Sequence, residues 1–145
     1  MNHEIMNQKQ VRVGVGVLVW KDGKIALIKR FGHYGSGTWA PPGGHVEFGE
    51  FALEAAIRET MEEIGVEIKN INVLGFTEDL SAAYDTHYIT IWTRADWASG
   101  ELKATDIEFN ESGFFDMNNL PEPLFISFKN LVDGKLLPEK VLLIP

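Results

Sequence analysis

Valines stand at positions 11, 13, 15, 17 and 19, with Arg12, Gly14, Gly16 and Leu18 between them, a period of two that predicts a strand. Residues 21–24 read Lys-Asp-Gly-Lys and supply a hairpin turn, after which a second strand is predicted over 25–28. Residues 31–38 carry three glycines and read as a loop. The segment Trp-Ala-Pro-Pro-Gly-Gly at 39–44 is barred from a central strand, because proline donates nothing to a ladder. The pattern then changes. Residues 51–64 are rich in Ala, Leu, Glu, Met and Arg, which predicts a helix stopped by Gly65. Further strands are predicted over 71–77, 88–94 and 114–116. A last helix opens at Leu120-Pro121 and runs to about residue 132, with Gly134 beyond it. Strands and helices mix without a repeated βα unit, so the expected class is α+β, a sandwich around a mixed sheet.

On a helical wheel of about 100° per residue, Glu59, Glu62 and Glu63 share one face of the predicted helix. Leu53, Ile57, Thr60, Met61 and Ile64 fall on the side expected to face the core. Ala52 and Ala55 lie beneath the carboxylates and leave room for another segment or a ligand. Arg58 is the only cation between residues 44 and 66. Three carboxylates on adjacent turns repel one another, and a hard divalent cation would relieve them. On the helix alone, a plain acidic outer face explains the pattern equally well.

The chain has 145 residues, which is the size of one domain, with a polar N-terminal extension over 1–10. With no cysteine, disulfides, thiolate metal sites and thiol catalysis are excluded. The longest largely apolar run, 13–20, is far too short for a membrane helix, and no secretory pattern opens the chain. A cytoplasmic protein that binds no membrane is expected. The net charge of −8 argues against a broad nucleic-acid surface, so no nucleic-acid partner is expected. That charge is uneven. Residues 1–43 hold six bases and two acids, whereas residues 44–66 hold six acids and one base. A basic third beside a short acidic segment fits a polyanion bridged by a metal, although solvated surface charge gives the same counts.

The context of the helix breaks the tie. From Gly44 to Val66 the chain reads GHVEFGEFALEAAIRETMEEIGV, which resembles the Nudix box. Gly44, Glu50, Arg58, Glu59, Glu62, Glu63, Gly65 and Val66 match its defined positions, and Thr60 stands where an aliphatic residue is usual. The resemblance spans roughly residues 11–133. It is strongest to a branch containing MutT-like nucleoside triphosphate pyrophosphatases, the human thiopurine-nucleotide enzyme and the plant dihydroneopterin triphosphate pyrophosphatase.

The resemblance implies a Nudix-type α/β/α sandwich and hydrolysis of a nucleoside diphosphate linked to another group, by water attack on phosphorus. It makes Glu59, Glu62 and Glu63 ligands of Mg²⁺ (Mn²⁺ as an alternative ion), with the Gly44 carbonyl as a further one. Glu59 is read in different members as ligand or as base, and both readings stay open here. Arg58 would orient Glu59, and Glu50 would support the metal loop. Glu111 is the first candidate for an additional carboxylate and Glu108 the second. Arg30, Lys29, His45, Gly43 and Gly44 are candidates for holding substrate, and His33 is a weaker one. Trp39, Trp92 and Phe114 are candidates for stacking a base, with core packing expected for at least two of them.

The leading expectation is a small-molecule partner, a nucleoside triphosphate, cleaved to the monophosphate and pyrophosphate. Other Nudix specificities are the alternative. ADP-ribose enzymes tend to carry a proline some sixteen residues past the box, and none occurs between Pro42 and Pro121. Dinucleoside polyphosphate enzymes often carry a tyrosine in that region, where Tyr84 stands. A non-catalytic binding module is least favoured, since such modules commonly lose box carboxylates. The resemblance leaves a homodimer open.

Overall fold

The computed structural model describes residues 9–32, 34–83, 85–103 and 109–139. The alternating valines form β1 (Val11–Lys21), which turns into β2 (Lys24–Arg30). The proline-bearing segment yields two very short strands, β3 (Trp39–Ala40) and β4 (Gly43–His45), with Pro41 and Pro42 outside both. Helix α1 (Ala52–Ile64) follows, and Gly65 closes it in a left-handed conformation, its N–H bonded to the Met61 carbonyl at 3.0 Å. Then come β5 (Glu67–Ser81), β6 (Thr86–Ser99), β7 (Phe109–Phe115) and α2 (Ile126–Val132). Strands β5 and β6 are about twice the predicted length, because each pairs along its whole run with the other.

These strands form one mixed sheet. Strand β1 runs parallel to β6 along one edge, from Val11 opposite His87 to Trp20 opposite Asp96. On its other edge β1 meets β2 only at the hairpin, Trp20–Lys21 against Lys24–Ile25. Further from the turn the two strands part. Strand β4 takes the vacant edge of β1 at Gly14–Gly16, while β3 and β7 flank β2. The gap between β1 and β2 is what the rest of the molecule is arranged around.

Alternation along the strands gives the sheet two apolar faces, as a sandwich requires. Val17, Val19, Ala26 and Ile28 pack with Ala56, Ile64 and Val66 on the α1 side. Leu18, Ile25, Leu27 and Trp92 pack with Phe128 of α2 on the other. Gly16 lies under the Trp92 ring, which a Cβ at that position would overlap. Among the described residues, no helix is long and apolar enough to cross a membrane.

Two expectations need correction. The final helix begins at Ile126 rather than Leu120. The stretch before it bonds to β3 instead of to itself: Trp39 N–H donates to the Pro123 carbonyl and Phe125 N–H to the Trp39 carbonyl, both at 2.9 Å. The buried face of α1 is also rotated from the one expected. Thr60 and Ile64 are buried, but Leu53, Ile57 and Met61 are exposed, and Ala55, Ala56 and Glu63 take their place inside. Burial of Thr60 is possible because its Oγ1 donates to the Ala56 carbonyl at 2.7 Å.

This rotation has a direct consequence. Ile64→Ala should cost about 2–5 kcal/mol, the range for emptying a packed core site. Ile57→Ala, at a side chain 49% exposed, should fall within about 0.5 kcal/mol of the parent. Urea unfolding midpoints measure both, and a large loss at Ile57 would return the helix to the expected orientation.

Candidate active site

The glycines of β4 let α1 come close to the sheet. A Cβ at Gly44 would overlap the Glu59 carboxylate, and one at Gly14 would lie 3.0 Å from the Gly44 carbonyl. The inner carboxylates of the helix therefore reach the gap between β1 and β2. Gly43 N–H donates to Glu63 Oε1 at 2.9 Å, and Glu63 is only 5% exposed.

Arg58 organises the outer side. Its Nε and Nη2 grip Glu50 Oε2 and Oε1 at 2.7 and 2.9 Å, a two-pronged pairing of planar groups. Nη1 donates to Glu59 Oε1 at 2.8 Å and to Glu62 Oε2 at 3.2 Å, and Nη2 also reaches the His45 carbonyl at 3.1 Å. Glu50 accepts the Glu47 N–H as well, at 3.1 Å. One guanidinium thus ties the loop before the helix to three glutamates.

The charges divide accordingly. Glu50, held first by its bonds to Arg58 and then by the Glu47 N–H, is drawn down to about 2. Glu59 is pushed up by burial despite Arg58. Glu63 is pushed well up, first by burial and then by the nearby Glu59, with the Gly43 N–H opposing. At both carboxyls, burial outweighs the positive charge that Arg58 and Arg30 bring near them. A hard cation fits them: the donors are all oxygen, and Gly44, lacking a side chain, lets the Glu59 carboxylate lie against the β4 backbone. Among the described residues, no three metal-ligating side chains already converge on one point, and the exposed Glu62 leans on Arg58.

The carboxylate pair lies at one end of a cleft of about 710 Å³. Gly14 and Gly16 of β1, Ile28 and Arg30 of β2, and the 40–45 segment line one part of it. Asp79 of β5, Thr86, Tyr88, Thr90 and Trp92 of β6, and Tyr34 and Phe125 line the rest. Arg30 projects into the cleft, with its guanidinium carbon 4.4 Å from the centre of the Phe125 ring and its Nε donating to the Tyr34 carbonyl at 3.1 Å. The His45 ring stacks on Tyr88, centroids 5.6 Å apart and planes 5° apart.

Of the residues singled out in the sequence, Gly43, Gly44, His45, Arg30, Glu59 and Glu63 line this cleft. His45 is held below its ordinary pKa by burial and by Arg12, which favours its neutral form. Lys29 is not brought there, because β2 alternates and only Ile28 and Arg30 face the gap. It faces Glu111 across the β2–β7 ladder, Nζ to Oε1 3.9 Å, and Glu111 likewise stands outside the cleft lining. Trp39 packs edge-on against Phe115 and Phe114 joins the α1-side core, as expected for two of the three aromatics, while Trp92 serves both core and cleft. Glu108, His33 and Tyr84 lie outside the described residues. The sequence reading missed Arg12, Tyr34, Asp79, Tyr88 and Phe125. The signal available for three of them was strand alternation: Arg12, Gly14 and Gly16 face Tyr88, Thr90 and Trp92 across the β1–β6 register, with Asp79 opposite Tyr88.

The depressed Glu50 carboxyl makes a pH prediction. Its folded value of about 2 lies below its ordinary 4.5, so the clamp's stabilisation is complete above the latter and is lost as pH falls toward the former. Acid unfolding followed by circular dichroism should therefore show Glu50→Gln less stable than the parent at pH 6, with the difference shrinking below about pH 4. A pH-independent difference would show that charge at Glu50 does not matter.

The model of the NUDIX domain matches residues 10–134. The chain is 41% identical over 121 residues to a Methanocaldococcus jannaschii protein described as an ADP-ribose pyrophosphatase, covering 83% of this chain and 71% of that one. It is 30% identical over 99 residues to the NAD-capped RNA hydrolase NudC of Chromobacterium violaceum, covering 68% of this chain but only 36% of that one. A MutT NUDIX hydrolase from Burkholderia pseudomallei superposes with a TM-score of 0.81 at 31% identity, over 86% of this chain and 98% of that one. With Gly44, Glu59 and Glu63 of the box lining the cleft, the match of the family model over residues 10–134 shows that the chain belongs to the Nudix hydrolase family.

Proposed function

We propose that the chain hydrolyses the pyrophosphate bond of a nucleoside diphosphate linked to a further group, with ADP-ribose as substrate. The observation that carries the reading is one cleft that joins two carboxyls pushed up by burial, Glu59 and Glu63, to the Arg30 cation and flat aromatic walls. Phosphates bridged by a metal suit the first end, and a base suits the second. The 41% identity to the archaeal ADP-ribose pyrophosphatase supports this substrate. The missing proline past the box, where Ala82 stands, is a single-position marker and weighs less.

Glu59 and Glu63 would hold Mg²⁺ or Mn²⁺, with the Gly44 carbonyl beside them and Glu62 joining once it releases Arg58. Such an ion neutralises phosphate charge and lowers the pKa of bound water. Arg58 fixes Glu59 whether that group acts as ligand or as base, and Glu50 fixes Arg58. Arg30 offsets the charge of the phosphates. Positioning and electrostatics then supply most of the rate, as in phosphoryl chemistry generally.

A second reading, a nucleoside triphosphate, is favoured by the Burkholderia MutT structure, which this chain matches over nearly its full length. It also agrees with the branch that the sequence resembles.

Purified protein with Mg²⁺ should release AMP and ribose 5-phosphate from ADP-ribose. The panel should include deoxynucleoside triphosphates, their oxidised forms, dinucleoside tetraphosphates and dihydroneopterin triphosphate. A higher kcat/KM for triphosphates would move the assignment to the second reading, and hydrolysis of none would sink both. Glu63→Gln should lower kcat by about 100-fold or more, equivalent to several kcal/mol of lost charge stabilisation, while the fold survives. Near-parental turnover in that variant at saturating Mg²⁺ would remove the metal role, and chelation with EDTA should abolish parental activity.

A further inference from the structure

Away from the carboxylate pair, the cleft ends on a group that the hydrolytic reading leaves unused. Asp79 is 6% exposed, and its Oδ1 accepts no hydrogen bond among the described residues. A buried acceptor left unpaired is destabilising, and more so when charged. Serine or threonine would sit at that strand position more cheaply, as Thr77 does two residues earlier, where its Oγ1 accepts the Trp92 indole N–H at 2.9 Å. A carboxylate kept in such a place calls for a donor that arrives with a ligand.

Its surroundings narrow the ligand. Asp79 stands on β5 opposite Tyr88, and Thr86 and Tyr34 lie beside it along the cleft. Tyr34 and Tyr88 stack, centroids 6.2 Å apart and planes 23° apart, and Phe125 meets Tyr34 edge-on at 5.3 Å. Flat rings beside an acceptor suit a heteroaromatic base better than a sugar or a phosphate. From β4 to β5 the sheet steps across β1 and β6, three spacings of about 4.8 Å, so the two strands lie about 14 Å apart, room for a nucleotide rather than a phosphate alone.

We propose that Asp79 is a specificity-determining residue that accepts the exocyclic amino group of an adenine-type base at the aromatic end of the cleft. This inference rests on the reading of the cleft as a nucleotide site. One ionised carboxylate oxygen, unpaired in the structure, accepts the amino N–H. Hypoxanthine presents a carbonyl where adenine has its amino group, and that oxygen would face the carboxyl oxygen. Leucine at position 79 has nearly the same shape but offers no acceptor, which removes the match.

The test is a calorimetric titration of the whole chain, in Mg²⁺, with AMP, IMP and 2′-deoxy-AMP, none of which has a pyrophosphate bond to cleave. The parent should bind AMP about tenfold or more tightly than IMP, the effect of one hydrogen bond to a charged group. It should bind 2′-deoxy-AMP like AMP. Asp79→Leu should bring the AMP preference to below about threefold, with its thermal midpoint at or above the parent's; Asp79→Ser, shorter and neutral, should also lose the preference and stands in if the leucine variant fails to fold. Equal parental binding of AMP and IMP, no binding of either, an AMP preference that survives in both variants, or loss of affinity confined to 2′-deoxy-AMP would each overturn the proposal. Because hydrolysis is not the readout, inactivity on ADP-ribose with intact AMP selectivity would reject the substrate assignment and leave this one standing.

Discussion

Two like-charged carboxylates, Glu59 and Glu63, are pressed between a helix and a strand of glycines, and much of the local architecture answers to that. Left alone, two buried anions would repel each other and resist leaving water. The protein meets the problem from both sides. Arg58 supplies a positive charge on the solvent side of Glu59, and the Gly43 N–H points at Glu63 from the sheet. What remains is a pair of carboxyls that burial holds above their ordinary range, both lining the cleft. Glu50 then matters because it locks Arg58, and Arg58 matters because it locks Glu59.

That arrangement requires the sheet to open. Strands β1 and β2 pair for only two residues on either side of their turn, and β4 rather than β2 completes the far half of β1. The prolines at 41 and 42 lie between two strands too short to close the gap. Gly44 admits the helix on one side, and Gly16 admits the Trp92 ring on the other. The opening in the sheet thus leaves a cleft lined by Arg30, Glu59 and Glu63 together with aromatic rings.

The box was legible because it combines residue identities with a fixed spacing. Gly, Glu, Arg and three more Glu at set intervals constrain a loop and a helix together, and the structure gathers most of them at one place. Lys29 and Glu111 were less legible, because whether a strand residue faces a cleft depends on which parity of the strand looks inward. The core side of α1 was misread for a related reason. Leu53, Ile57 and Met61 form the more hydrophobic stripe, yet the helix turns Ala55, Ala56 and Glu63 inward, since only small residues permit the close approach that the carboxylates need.

The sequence by itself determined the α+β class, the hairpin, the helix with its glycine stop, and the set of charged residues around which the site is built. Those features are local, governed by propensity, period and turn chemistry over a few residues. Only the tertiary structure decided which way α1 faces, that Glu62 stays with Arg58 while Glu63 goes inside, and that Arg30 but not Lys29 meets the cleft. It also brought Tyr34, Asp79, Tyr88 and Phe125 to one end of that cleft from four separate parts of the chain. Those outcomes depend on strand pairing between distant segments and on the burial of charge, which no local pattern encodes.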